Sequence, residues 1–219
     1  MKFWNISKRN NETLLSANDA LFGKEIQQIA VFNEFENKFK IYCNPENTNK
    51  IYPLKYPMGP LILYYITTKS NSIMIHASGV NFNNKGYVFS GFSGIGKSTI
   101  AHIFSNCGAE IINDDRLIIR RENDGFNFYN TPMPYEDNTK KAPLESIFLL
   151  NQSKKNYLIE LKGAKAFSSL MSNCIQHNYD TNIIEHHLAF LSDLCNNLKV
   201  YELGFKPDES VVELIFNNA

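Results

Sequence analysis

Gly91-Phe-Ser-Gly-Ile-Gly-Lys-Ser-Thr99 decides how the rest of this chain is read. The stretch fits G-x-x-x-x-G-K-[ST], a spacing whose residue types suit phosphate. Gly91, Gly94 and Gly96 let the backbone turn tightly, so that the N–H groups of the loop, through Ser93, Ile95 and Thr99, approach phosphate oxygens. Lys97 has the reach for β- and γ-phosphates, and the Ser98 hydroxyl is a Mg²⁺ ligand type. The flanks agree. Gly86-Tyr-Val-Phe-Ser90 is a short aromatic and β-branched run that predicts a strand. Thr99-Ile-Ala-His-Ile-Phe104 predicts a helix whose N-terminus faces the anion. The alternative is a Gly-rich turn that binds nothing.

Downstream, Cys107-Gly108 ends that helix, with Gly108 suited to the position after the cap. Ala109-Glu-Ile-Ile-Asn113 predicts a short strand running into Asp114-Asp115, and Arg116-Leu-Ile-Ile-Arg120 continues it. A helix of about ten residues fits between Ser98 and this strand, so the strand is expected beside the loop's own strand, with ligands at the carboxyl ends. Kinase chemistry needs charge neutralisation by metal and a base for the acceptor hydroxyl. Asp114 and Asp115 are the candidates, one for each task. Neighbours on a strand point to opposite faces, so both act only if the strand ends or bulges there. The bland reading of the pair is a hydrated turn. His76, on the expected strand Ser72-Ile-Met-Ile-His-Ala77, is a second candidate beside the phosphates, though a lone strand histidine is usually structural.

Further along, Asn123-Asp-Gly125 predicts a hairpin with Phe126-Asn-Phe-Tyr129 as its return strand. Thr131-Pro-Met-Pro-Tyr-Glu-Asp137 reads as a Pro-bearing loop and Ser146-Ile-Phe-Leu-Leu150 as a strand. Phe167, Leu170, Met171, Cys174 and Ile175 share one face of a helix, and so do Ile184, His187, Leu188, Leu191, Leu194, Cys195 and Leu198. Tyr201, Leu203 and Phe205 alternate like a half-buried strand, and a final helix starts at Pro207-Asp-Glu-Ser210. Upstream, Gln28-Ile-Ala-Val-Phe32 and Lys38-Phe-Lys-Ile-Tyr42 predict a hairpin around Asn33–Asn37, followed by a loop over Cys43–Lys50. A helix is expected from about Pro60 to Thr68, and Asn81–Gly86 is expected to turn.

Strands interspersed with helices predict a three-layer α/β core with a mixed sheet. Residues 1–56 form a small strand-rich N-terminal section and 57–219 the nucleotide-binding domain. At 219 residues the chain suits one domain with a small appendage. The formal net charge is zero, which argues against a nucleic-acid or anionic-membrane binder. No apolar run reaches spanning length, and Met1–Arg9 has no apolar signal core, so a cytoplasmic protein is expected. Cys43, Cys107, Cys174 and Cys195 are scattered, so free thiols are expected. A zinc site from Cys174, His177, His186, His187 and Cys195 fits no closed zinc spacing; the better reading puts both cysteines on the apolar faces of two helices.

Ile75-His-Ala-Ser-Gly79, Gly91–Thr99 and Asn113-Asp-Asp-Arg116, in this order and spacing, resemble the HPr serine kinase/phosphorylase family, whose nucleotide site is shared with ATP-dependent phosphoenolpyruvate carboxykinases. Short HPr-kinase-like proteins are also similar at Thr131-Pro-Met-Pro134, Pro143–Leu150, Ala164–Leu170 and Tyr201–Pro207. The resemblance spans roughly residues 70–215. It implies an α/β P-loop kinase core of that type, a mixed sheet with helices on both faces, and ATP with Mg²⁺ at the loop. It further implies Asp114 as base toward an acceptor serine, with Asp115 and His76 supporting metal and phosphate, and Lys97 on the phosphates. The chain has Gly96-Lys-Ser-Thr99 where bifunctional members carry G-K-S-E, and it lacks their glycine-rich C-terminal signature.

The expected activity is ATP-dependent transfer of the γ-phosphoryl group to a hydroxyl, a serine of a peptide, a small protein or a small molecule. A nucleotide-binding regulatory or assembly protein without transfer is the alternative. A conventional P-loop NTPase is disfavoured, because N-K-x-D is absent and no longer hydrophobic strand ends in an acidic pair further along. Homo-oligomer formation is left open by the sequence.

Overall fold

Alternating exposed and buried positions over the first forty or so residues build an antiparallel meander. The computed structural model describes residues 4–18, 26–44, 51–123, 125–132, 138–175 and 181–218. By its contacts the chain divides into two units, Met1–Ile66 and Thr67–Ala219. The expected boundary at 56/57 falls ahead of the first helix, whereas this division falls within it.

In the first unit, β1 (Trp4–Arg9), β2 (Glu12–Asn18), β3 (Ile26–Asn33) and β4 (Lys38–Cys43) pair in sequence order. Leu15, Ala17, Ala30 and Phe32 are buried, as the period of two requires for one covered face. The hairpin expected at Asn33–Asn37 is present, with Asn33 opposite Lys38. Its turn is held by Asn33 Oδ1, which accepts the amides of Phe35 and Glu36 at 3.0 and 3.1 Å. Residues 45–50 of the expected loop lie outside the described residues. Helix α1 (Met58–Lys69) carries Pro60 in its first turn, where a missing N–H costs nothing.

The second unit is a mixed eight-stranded sheet. Its strands are β5 (Ser72–Phe82), β6 (Lys85–Ser90), β7 (Glu110–Asn113), β8 (Arg116–Glu122), β9 (Gly125–Asn130), β10 (Lys141–Gln152), β11 (Tyr157–Leu161) and β12 (Lys199–Phe205). They run in the order β11-β12-β10-β6-β5-β8-β9, with β7 also on β5. Strand β10 is parallel to β6 and to β12. The side chains alternate between two cores. Val88 and Ile147 join one with Leu170 of α3 (Gly163–Met171) and Phe190, Leu191 and Leu194 of α4 (Thr181–Asn197). Tyr87, Phe89 and Phe148 join the other with Ile100 and Phe104 of α2 (Lys97–Asn106) and Val211 and Ile215 of α5 (Ser210–Asn218). Helices therefore cover both faces of the sheet, as the order of elements predicts.

One half of this sheet closes on itself. Strands β10, β6, β5, β8 and β9 pair in turn, and β9 pairs back to β10 at Lys141–Pro143. The ring encloses Phe128, which is fully buried. Gly79 and Gly86 make room for it: a Cβ at either position would run into the Phe128 ring.

Several expectations need correction. Strand β7 does not lie beside β6; it pairs with β5, because β10 already occupies the far edge of β6. Helix α3 ends at Met171, so Cys174 is not on a helix face. There the chain crosses to β5: Cys174 bridges Ile75, the Ile175 amide donates to the Met74 carbonyl, and the His76 amide donates to the Asn173 carbonyl. Exposed edge groups beyond the end of β6 are thereby satisfied, which outweighs one more helical turn. Cys195 does sit on α4 against the core. Strand β12 is buried on both faces rather than half-buried, because Val200 joins the core under α3 and α4 while Tyr201, Leu203 and Phe205 join the one under α2 and α5. The short edge strand β11 has no apolar alternation to announce it. Asp124, residues 133–137 and residues 176–180, including His177, lie outside the described residues. Among the described residues no helix is long and apolar enough to cross a membrane.

Candidate functional site

The middle of β5 organises the site. On one edge Ala77 pairs with Ser90, the last residue of β6. On the other edge Gly79 pairs with Asn113, the last residue of β7, and His76 pairs with Arg116, the first of β8. Strands β6 and β7 both run antiparallel to β5. The Gly91–Thr99 loop therefore begins at the level of β5 where, on its opposite edge, the Asp114-Asp115 step joins β7 to β8 and the Asp115 carbonyl accepts the Ala77 amide. Two strand spacings, about 10 Å, separate their backbones there.

The loop turns through glycine geometry. Gly94 has φ +81° and Gly96 φ +115°, a region that L side chains avoid. Helix α2 starts at Lys97, no side chain caps it at Gly96, and its first turn carries no acidic residue. A positive helix end is thus presented to the loop. Ser93, Gly94, Ser98 and Thr99 are exposed. Ile95 is different: its side chain is buried in the core and its amide donates to the Phe92 carbonyl. It pins the loop.

Lys97 is buried, and its Nζ donates to the carbonyls of Gly91 and Phe92, both at 3.0 Å. Burial pushes this ammonium below its ordinary range, and the charges of Asp114 and then Asp115 push it back up. Both carboxylates therefore act on the same lysine. Ser78, on β5, donates its hydroxyl to Asp114 Oδ1. Asp115 Oδ2 lies 2.9 Å from a guanidinium nitrogen of Arg116, and its Oδ1 lies 3.6 Å from His76 Nδ1. His76 Nδ1 is also 3.0 Å from the Asp115 carbonyl oxygen. A carbonyl only accepts, so Nδ1 carries the proton and Nε2 of the neutral ring is a free acceptor type. Burial, reinforced by Lys97, lowers the His76 pKa; the Asp115 charge opposes this.

Of the residues singled out in the sequence, His76, Lys97, Asp114 and Asp115 form one electrostatic cluster, with Ser98 exposed in the first turn of α2. The zinc candidates do not: among the described residues no three His, Cys, Asp or Glu side chains are grouped to hold a metal. Four residues with no role predicted for their own chemistry frame the cluster. Ser78 holds Asp114, Arg116 holds Asp115, Ser90 donates to the His76 carbonyl at 2.9 Å, and Asn113 sits at the crossing. Asn113 and Arg116 flank the acidic pair, which was their sequence signal. Ser78 lies within Ile75–Gly79, one of the stretches that carry the family resemblance, whereas nothing in the sequence marks Ser90 apart from any other strand serine.

No protein-family model and no curated protein sequence matches the chain. A solved structure that matches is that of the Hpr(Ser) kinase/phosphatase from Coxiella burnetii, at 10% identity and a TM-score of 0.40. The match covers 66% of this chain and 94% of that one. Likeness at that level carries no argument about activity.

Proposed function

We propose that the chain binds a nucleoside triphosphate with Mg²⁺ at Gly91–Thr99 and transfers its γ-phosphoryl group to a hydroxyl. One observation carries the reading: two consecutive carboxylates, Asp114 and Asp115, lie across β5 from the Gly91–Thr99 loop, one held by Ser78 and the other beside His76 and Arg116. Recognition of phosphate alone calls for cations and backbone donors rather than for two carboxylates. An enzyme that moves a phosphoryl group needs both a metal ligand and a base there.

The residues fit the metal. Mg²⁺ takes one or two protein oxygens and completes its octahedron with phosphate and water. Ser98 and Asp115 would hold it, and it would supply neutralisation of the phosphate charge. Lys97 would exchange its two loop carbonyls for phosphate oxygens, a stronger charge-assisted contact. The amides of the loop and of the first turn of α2 would orient the same oxygens. Asp114 keeps Oδ1 on Ser78, which leaves Oδ2 for the acceptor proton. As the acceptor oxygen bonds to phosphorus, the bond from phosphorus to the β,γ-bridging oxygen breaks. The hydroxyl proton passes to Asp114, and the nucleoside diphosphate leaves with the bridging oxygen. His76 would face the γ-phosphate side from the Asp115 flank.

The test is nucleotide affinity beside single-turnover transfer to a library of serine-containing peptides, across a Mg²⁺ series. Lys97→Ala should abolish tight binding. Asp114→Asn should bind normally and transfer roughly 10²–10⁴-fold more slowly, the usual worth of acid–base help. The defect of Asp115→Asn should shrink as Mg²⁺ rises. Binding without transfer to any hydroxyl acceptor would favour a regulatory nucleotide-binding role, and wild-type transfer by Asp114→Asn would remove the base assignment.

A further inference from the structure

Asp114 and Asp115 are consecutive, and the chain is extended on both sides of them. Regular strand geometry would send their carboxylates to opposite faces. Two local features break that regularity. The ladder slips just before the pair: Val80 faces Ile111 but Gly79 faces Asn113, so Ile112 is an extra residue, driven into the core. Asn113 then folds over the step that follows. Its Oδ1 accepts the Asp114 amide at 2.7 Å and the Asp115 amide at 3.1 Å. Two donors on one atom identify that atom as the oxygen. The amide nitrogen therefore faces Thr131, and it donates to Oγ1 at 3.2 Å. Thr131 is buried and its hydroxyl donates to the Arg116 carbonyl at 3.4 Å. Asn130, immediately before it, accepts the Lys140 amide at 2.9 Å and donates to the Asn138 carbonyl at 3.1 Å. The clamp thus runs from a fixed end of β9, through one carboxamide, to both amides of the acidic pair.

We propose that Asn113 is the positioning residue of the site, its carboxamide turning Asp114 and Asp115 toward the phosphate loop while Thr131 holds it in place. The assignment rests on the nucleotide reading above for its function and on geometry alone for the turn. The residue type matters. Aspartate would accept the same two amides but would add a third negative charge beside the pair. Serine is too short to take both amides and still reach Thr131. Alanine has no acceptor at all.

Two measurements on the same variants test it. The first is amide hydrogen exchange of Asp114 and Asp115 in metal-free, nucleotide-free protein. The second is calorimetric affinity for Mg-ATP. Asn113→Ala should exchange both amides roughly tenfold faster and bind Mg-ATP roughly tenfold more weakly, about the worth of the lost hydrogen bonds. Asn113→Asp should keep the amides protected yet weaken Mg-free ATP more than Mg-ATP, since only its charge differs. Thr131→Val, which leaves the Asn113 acceptor intact, should fall between wild type and Asn113→Ala, and it carries the test if Asn113→Ala does not fold. Wild-type exchange and affinity in both Asn113→Ala and Thr131→Val would overturn the inference. Faster exchange with unchanged affinity would reduce Asn113 to a turn residue and overturn its positioning role. Failure of the wild type itself to bind Mg-ATP would overturn the nucleotide reading, and the positioning role with it, whatever the amides do.

Discussion

The Ser78 hydroxyl, fully buried in β5, donates to Oδ1 of Asp114, which tie the sheet to the acidic crossing side chain to side chain. A hydrogen bond to a charged group is worth about 1.5–3 kcal/mol. If the bond orients the base, Ser78→Ala should slow transfer roughly 10–100-fold and leave Mg-ATP affinity nearly unchanged. Single-turnover rates beside calorimetry check this. An affinity loss as large as the rate loss would mean that Ser78 serves binding instead.

His76 reports on the cluster through its own titration. Its pKa lies below the ordinary 6.5, first because it is buried and next because Lys97 is near, while Asp115 pulls the other way. Lys97→Ala should therefore raise its midpoint, and Asp115→Asn should lower it. Imidazole proton shifts followed by NMR measure both. Unchanged midpoints in both variants would show that these charges do not reach the ring.

The same direction has a consequence for stability. His187 is also lowered, by burial and then by His186. For both rings the unfolded chain takes up a proton more readily than the folded one. Their contribution is complete above pH 6.5 and is lost as pH falls through the folded values. Denaturation midpoints in urea should drop between pH 7.5 and 5, and the drop should shrink in His187→Gln.

Gly96 and Gly94 separate two costs of a side chain in the loop. At Gly94 a Cβ would meet nothing within 4 Å, so Gly94→Ala carries only the backbone penalty, about 1–2 kcal/mol. At Gly96 a Cβ would also lie 2.8 Å from the Phe205 ring. Gly96→Ala should be the more destabilising by roughly another 1–3 kcal/mol of overpacking, read as a lower thermal midpoint. Equal midpoints would mean that Phe205 yields freely.

All four cysteines are free thiols. Burial pushes Cys174 up to about 12, with Cys195 adding to it. At pH 8 alkylation should spare Cys174 in the folded protein and reach it only after unfolding, where four thiols should titrate. Rapid labelling of folded Cys174 would mean that the bridge to Ile75 opens readily.

Local patterns in the sequence carried what local chemistry controls. The loop, α2 with Gly108 after its end, the β3–β4 and β8–β9 hairpins and α4 all follow from spacing and turn residues. Pairing partners do not. Nothing near Glu110–Asn113 says that β10 will claim the edge of β6, since that strand begins only at Lys141. Periodicity also overshot at Cys174 and Ile175, where apolar spacing continues but β5 offers unpaired edge groups. The acidic pair was visible as a pair. Its geometry depended on Asn113 and Thr131, which meet only through the fold.

The ring around Phe128 bears on all of this. Ser90, Asn113, Asp114 and Arg116 each take their place from a residue of β5 between His76 and Gly79. The site therefore has one master coordinate, the register of β5. A slip by a single residue would turn Ser78 and His76 to the opposite face and disperse the cluster. Phe128, lodged beside Gly79 and Gly86 on neighbouring strands, acts as a detent: these are the single glycines of β5 and β6, and a Cβ at either would strike the ring, so the phasing of the two strands is fixed from inside the sheet rather than from the site.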